Sequence, residues 1–226
     1  MRALCLTLTL GLALPLAGCA SSENKPARSD EPLERDRGKL PPGVRPVIVV
    51  RHAQAFKNLK PRPKLSPEKL DSLTDQGKAE ARDLAKGIAW SHVTCPIVAV
   101  LSSPKGRTRE TAAIITEALE LPVTVTPALA PLDGGPTKPD FGERIAKWKA
   151  GEDWRPEGGE TLEDGVKRAL AAIAKQPHGC VVIVTHGDIA AGVIGEAKGT
   201  AMAERWAKHE IAGGTLQHVQ LKSAGE

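Results

Sequence analysis

The chain has 226 residues, 31 Lys and Arg against 27 Asp and Glu, and a formal net charge of +4. With 41% hydrophobic and 26% charged residues, it is neither a disordered chain nor a multi-span membrane protein. Four cysteines exclude a disulfide scaffold. Four Trp, two Phe and no Tyr exclude a stacking platform for nucleic acid, and so small a positive charge implies no nucleic-acid partner.

Residues 1–18 read as a secretory signal peptide. Arg2 supplies the basic start, and Ala3 to Leu16 is an apolar run broken by Pro15. That run is shorter than the ~20 residues a spanning helix needs and suits the apolar region of a signal. Leu16-Ala17-Gly18-Cys19, at its end, resembles the lipobox of bacterial lipoproteins. The resemblance implies export across the inner membrane, cleavage before Cys19 and lipidation of Cys19. With Ala20 following, it also implies an anchor in the outer membrane on the periplasmic side. Residues 19–45 are rich in Pro, Ser and charge and predict a disordered tether. Its r.m.s. reach is roughly 30 Å, from about 5–6 Å × √n. One domain, 46–226, follows.

Val47 to Val50 is a continuous β-branched run, the pattern of a strand buried on both faces. Thr74 predicts the cap of a helix whose apolar face is Ala81, Leu84, Ala85 and Ile88. Ile97 to Leu101 is a second buried strand. Ser103-Pro104 then reads as N-cap and first residue of a helix carrying Thr108, Ala112, Ile115 and Leu119 on one face. Val123 to Thr126 predicts a short strand. Residues 127–160 are an irregular excursion with one helix around Phe141, Ile145 and Trp148, suited to a pocket wall or lid. A helix from Thr161, a buried strand Val181 to Thr185, a helix Asp188 to Ala197 and an edge strand Thr215 to Leu221 complete the chain. Alternating strands and helices predict an α/β fold: a three-layer α/β/α sandwich around a mostly parallel sheet. Such sheets bind ligands at the carboxyl ends of their strands.

Three of those ends carry the candidate chemistry. The first strand ends in Arg51-His52, with Asn58 shortly after. The second ends in Ser102-Ser103-Pro104, with Arg107 in the helix beyond. The third ends in Thr185-His186-Gly187. Arginines bind phosphoryl oxygens in bidentate fashion, and helix amino termini add positive potential. A neutral imidazole is a nucleophile near neutral pH. The set therefore points to a phosphate site with a histidine nucleophile.

Arg51-His52-Ala53-Gln54, Leu73-Thr74-Asp75-Gln76-Gly77, the segment from Ser102 to Ala112, Gly159-Glu160-Thr161 and Thr185-His186-Gly187 occur in order. Together they resemble the histidine phosphatase superfamily, also called phosphoglycerate-mutase-like, over about Val47 to Leu221. The resemblance implies that same fold and a two-step phosphoryl transfer without metal or other cofactor. His52 is the implied nucleophile; Arg51, Arg107 and His186 are the other catalytic residues. Asn58, Ser103, Glu160 and Gly187 are implied substrate contacts.

Ala53 and Gln54 depart from the commoner Gly and Glu. The Leu-x-Glu segment that often carries the general acid reads Leu129-Ala130-Pro131, so Asp133 becomes the candidate acid, with Asp140 and Glu143 in reserve. Asp133 also reads as the turn residue of Asp-Gly-Gly. The implied function is a metal-independent phosphomonoesterase tethered to the envelope, acting on a phosphorylated small molecule or an envelope glycan or lipid. Its alternatives are mutase-like transfer and a non-catalytic binder of phosphorylated envelope sugars.

Lys57, Lys60, Arg62, Lys64, Lys105 and Arg109 form a basic rim, either a solvated loop or an attractor of multiply anionic substrates. Cys95 and Cys180 each precede a buried strand, and a disulfide or two buried thiols both fit. His92, His178, His209 and His218 lack metal-ligand spacing, so no metal is expected.

Overall fold

The computed structural model describes residues 43–139 and 141–222. The expected signal peptide, Cys19, the tether up to residue 42 and Asp140 lie outside these residues.

Five strands form one sheet in the order β3-β2-β4-β1-β5. They are β1 (Val44–Arg51), β2 (Ile97–Ser102), β3 (Val123–Val125), β4 (Cys180–Thr185) and β5 (Leu216–Lys222). The first four run parallel, and β5 pairs antiparallel along β1 at the edge. The helices are α1 (Pro67–Leu70), α2 (Asp75–Thr94), α3 (Gly106–Glu117), α4 (Phe141–Lys149), α5 (Leu162–Ala174), α6 (Gly187–Ala197) and α7 (Arg205–His209).

The apolar strand runs are continuous because both sheet faces are covered. Val47, Val49, Val181 and Ile183 turn to one side, where they pack with Leu162 and Val166 of α5, Ile189 and Val193 of α6, and Trp206 of α7. Ile48, Val50, Val182 and Val184 turn to the other, against Leu84 and Ile88 of α2 and Ala112 and Ile115 of α3. This is the expected three-layer sandwich. Each such side chain contributes about 1.5–3 kcal/mol on burial, and period-two alternation divides that contribution between the two faces.

Local chemistry starts the anticipated helices where the sequence suggests, with one exception, while α1 and α7 are not among those anticipated. Thr74 Oγ1 accepts from Gly77 N at 3.0 Å. Thr161 and Asp164 cap each other's backbone N–H reciprocally. Gly77 is required by proximity, since a Cβ there would meet the Gln54 carbonyl oxygen at 2.0 Å. The exception is α3, which begins at Gly106 with Lys105 as N-cap and no side-chain cap of its own. Ser103 stands two residues ahead of the cap position, and its Oγ accepts from Lys105 N at 3.4 Å and from His186 Nε2 at 2.8 Å. The first helical N–H instead donates to Asp71 Oδ2 at 2.7 Å, from a distant part of the chain.

The first strand also starts earlier than expected. β1 begins at Val44 because Val44 and Arg45 pair with Lys222 and Leu221 of β5. Arg45 further donates to the carbonyls of Pro177 and Gln176 at 2.8 and 3.1 Å. Cys95 and Cys180 lie side by side at the amino ends of β2 and β4, but as free thiols. Burial, then the neighbouring Cys95, push the Cys180 thiol up to about 12, so it stays protonated.

Candidate active site

Strand order assembles the site. β4 lies between β1 and β2, with Arg51 level with Thr185 and Ser102 level with Val184. The residues just beyond these ends, His52, His186 and Ser103, are therefore neighbours on one edge. Their backbone is pinned there: His52 N donates to Thr185 O at 3.0 Å and Ser103 N to Val184 O at 3.1 Å. All three side chains are buried, as is Arg107 in the first turn of α3.

Arg107 organises the two imidazoles. Its Nε donates to His52 Nε2 at 3.0 Å, and its Nη2 lies 2.8 Å from His186 Nδ1. Arginine only donates, so both ring nitrogens carry lone pairs. That assigns the tautomers. His52 donates from Nδ1 to the Ala53 carbonyl at 2.8 Å, and His186 donates from Nε2 to Ser103 Oγ at 2.8 Å. The third arm of Arg107, Nη1, is ion-paired with Asp71 Oδ1. The rings are 5.3 Å apart at 61°.

The electrostatics keep both rings neutral. Burial, then the Arg107 charge, lower the His52 pKa to about 3, with Arg51 and Lys57 contributing and the Ala53 carbonyl opposing. Burial and Arg107 hold His186 well below its ordinary value.

Arg51 donates through Nη1 to the Ile211 carbonyl at 2.6 Å, while its buried Nε has no partner. A buried guanidinium N–H beside an imidazole lone pair is a donor that suits an oxyanion. Gly187 makes room for it, since a Cβ there would press on Arg51 Cζ at 3.2 Å.

The cavity over this floor has a volume of about 1140 Å³. Arg51, His52, Arg107, His186 and Gly187 line it, as do Asn58, Asp133 and Glu160, so all but one of the anticipated site residues meet there. Ser103 is the exception: fully buried and absent from the lining, it holds His186 from behind. Asn58 Oδ1 accepts from Ala55 N at 3.0 Å, which shapes the loop after β1.

Glu160 is a scaffold residue rather than a ready ligand. Arg168 donates to its two oxygens at 2.9 and 3.0 Å, and Asp133 N donates to Oε2 at 2.9 Å. Burial alone would raise its pKa, but those bonds outweigh burial and keep it lowered. Asp133 is exposed on the cavity wall, with Oδ1 accepting from Gly135 N at 2.9 Å, so the turn is real and the residue still lines the cleft. Glu143 is exposed on α4, outside that lining.

Three important residues carried no sequence signal of their own. Asp71 pairs Arg107 and caps α3. Asp188 spends both oxygens on backbone, accepting from Leu132 N and Ile189 N at 2.9 Å each. Arg168 gathers the carbonyls of Pro127, Ala128, Ala130 and Pro131. The only available clue was generic: a buried arginine needs a carboxylate, and an irregular wall needs donors for its carbonyls. Among the described residues, no group of three or more His, Cys, Asp or Glu could hold a metal ion.

Fold and site together define a mostly parallel α/β protein whose strand ends gather two neutral imidazoles and two guanidinium groups on one cleft. The profile of the histidine phosphatase superfamily (branch 1) matches residues 47–225, and the chain belongs to that family. It is 30% identical over 154 residues to the probable phosphoglycerate mutase GpmB of Enterobacter sp. (strain 638), covering 62% of this chain and 69% of that one. Among solved structures, a mycobacterial glucosyl-3-phosphoglycerate phosphatase complexed with VO3 aligns with a TM-score of 0.61 at 22% identity, over 77% of this chain and 90% of that one. YhfR of Bacillus stearothermophilus aligns equally well, with a TM-score of 0.61 at 22% identity and the same coverage of 77% and 90%. The family includes phosphatases and mutases, and the fold is theirs.

Proposed function

We propose that the chain is a metal-independent phosphatase that hydrolyses phosphomonoesters through a phosphohistidine at His52. One observation carries the reading: a neutral imidazole presents the lone pair of Nε2 inside a cage of guanidinium N–H donors. An incoming phosphoryl group takes over the donors of Arg107 and the unpaired Arg51 Nε, which frees the His52 lone pair. Nε2 then attacks phosphorus, the bond to the ester oxygen breaks, and the alcohol leaves with a proton from Asp133. Water next attacks the phosphohistidine as it gives a proton to the Asp133 carboxylate, the P–N bond breaks, and inorganic phosphate departs with Asp133 restored as the acid. Throughout, the guanidinium groups of Arg51 and Arg107 stabilise charge on the equatorial oxygens, while His186, held by Ser103 through Nε2–H, fixes Arg107 through Nδ1.

Asp133 is the proposed acid because it is the exposed carboxylate on the cavity wall, whereas Asp188 and Glu160 have their oxygens engaged by backbone and Arg168. A phosphorylated small molecule fits the cleft volume, and the phosphatase with the aligned fold is named for such a substrate. The Leu16 to Cys19 segment supports placing the enzyme at the outer membrane, lipid-anchored through Cys19 on the periplasmic side.

The test is hydrolysis of an aryl phosphate in EDTA, with rapid quench after labelled substrate. Label on His52 and activity that persists in EDTA are expected; activity that needs a divalent ion rejects the mechanism. Transfer to a second phosphoglycerate in place of water would make it a mutase, as the GpmB relative is named. Binding without turnover would make it a carrier of phosphorylated sugars. Cys19→Ser should leave an unprocessed, unlipidated precursor, and a wild-type chain found in the cytoplasm with Met1 attached defeats the envelope placement.

A further inference from the structure

A second, smaller cavity of about 380 Å³ adjoins the active-site cleft. Lys57, Arg62, Lys105, Arg107 and Pro131 line both, so the two are continuous. The negative group on its wall is Asp71, which is committed to Arg107 and to Gly106 N. The remaining cations are not neutralised: among the described residues, no carboxylate forms an ion pair with Lys57, Arg62 or Lys105.

These three cations come from separate places, and the backbone gathers them. Lys57 lies in the turn Phe56–Asn58 directly after the β1 end, a turn held by Asn58 capping Ala55. Arg62 folds back so that its Nε donates to the Lys57 carbonyl at 3.5 Å. Lys105 is the N-cap of α3, at the positive end of a helix of 12 residues. Lys57 is half-buried. Burial and the nearby Arg107 lower its pKa, with Arg62 and Lys105 adding to the effect. Like charges crowded around a partly desolvated ammonium are an unfavourable arrangement that an anion relieves.

We propose that Lys57, Arg62 and Lys105 form a second anion subsite, and that the substrate is a phosphomonoester carrying a second oxyanion, phosphate or carboxylate, on the part that leaves. The proposal rests on the phosphatase reading, because Arg107 is the wall shared by the subsite and the reacting phosphate. It gives the basic loop a specific task. The scissile phosphate is held by the buried floor, and the second anion sets which ester is accepted and how it is oriented over His52.

The test uses non-hydrolysable ligands, so that binding is read apart from turnover. Calorimetry compares propylphosphonate with alkane bisphosphonates of about two to six methylenes, and with the matching carboxyalkyl phosphonates. The full chain and a Lys57→Ala/Arg62→Ala/Lys105→Ala variant are both titrated. Expected is a bisphosphonate or carboxyalkyl phosphonate that binds the wild type about tenfold or more tightly than propylphosphonate. That advantage should vanish in the triple variant, whose affinity for propylphosphonate falls by a smaller factor than its affinity for the two-anion ligand. The better of the two series names the second group as phosphate or carboxylate. A wild type with no preference at any spacer length, or a preference the triple variant keeps, overturns the subsite and leaves the phosphatase reading intact. Failure of every phosphonate to bind, with no hydrolysis of an aryl phosphate, overturns both. Circular dichroism shows whether the variant is folded, and Lys57→Gln alone, expected to lose part of the advantage, keeps the test decisive if the triple variant is not.

Discussion

The floor and the wall of the cleft are built on different principles. The floor consists of Arg51, His52, Arg107 and His186, set directly on strand ends or a first helical turn and largely buried. The wall, from Pro127 to Gly134, has only a short helical turn at Pro127–Leu129. It is held from outside, by Arg168 on its carbonyls and by Asp188 and Glu160 on the N–H groups of Leu132 and Asp133. Rigid placement suits the group that must meet phosphorus in line, since small misplacements there are costly. An exposed, loop-built wall suits the leaving group, which differs from substrate to substrate.

The sharpest way to break this contrast is to remove the nucleophile from the floor. His52→Ala should lower kcat for any phosphomonoester by about 10⁴-fold or more, whatever its leaving group. A stopped assay with nitrophenyl and alkyl phosphates checks it, and a leaving-group-dependent loss would move the nucleophile elsewhere.

Next comes the residue that holds the floor's central guanidinium. Asp71→Asn removes the charge that pairs Arg107 but keeps an acceptor for Gly106 N. We expect kcat/KM to fall about 10²-fold on all substrates through misplacement of Arg107. Unchanged kinetics would mean that the two histidines hold Arg107 well enough by themselves.

The wall should respond selectively. Asp133→Asn is expected to slow alkyl phosphate hydrolysis by about 10²-fold and nitrophenyl phosphate much less, because nitrophenolate departs without a proton. An equal, small loss on both substrates would reduce Asp133 to its turn with Gly135.

The last expected effect is on stability rather than on rate. His52 and His186 are neutral in the folded chain, with His52 lowered to about 3. Above their ordinary value of about 6.5, folded and unfolded chains bind equal numbers of protons there, and neither group gives a pH dependence. Below it the unfolded chain takes up protons that the folded chain refuses. Stability therefore falls as pH drops from about 6.5 toward 3, by up to about 1.4 kcal/mol per pH unit for each histidine. Denaturant melts across that window should show the decline, and His52→Ala/His186→Ala should flatten it. Inorganic phosphate should also flatten it, since a bound anion favours the protonated rings.

The sequence by itself determined the sheet, the helices α2, α3, α5 and α6 that cover it and the place of the four floor residues, but not α7. Continuous β-branched runs report strands buried on both faces, and a short chain segment beyond a strand end can only emerge at the sheet edge. Thr74 and Thr161 likewise announced their helices, because capping is decided within four residues. Only the tertiary structure decided what those groups touch. Ser103 looked like a helix cap or a substrate contact until His186 was placed against it. Glu160 looked like a ligand until Arg168 reached it, and Asp71 gave no sign of its partnership with Arg107. Hydrogen bonds and ion pairs between distant segments depend on where each segment lands, to within a few tenths of an ångström. Periodicity and local propensity report which face a residue turns to, and they are silent on which donor from another part of the chain will meet it there.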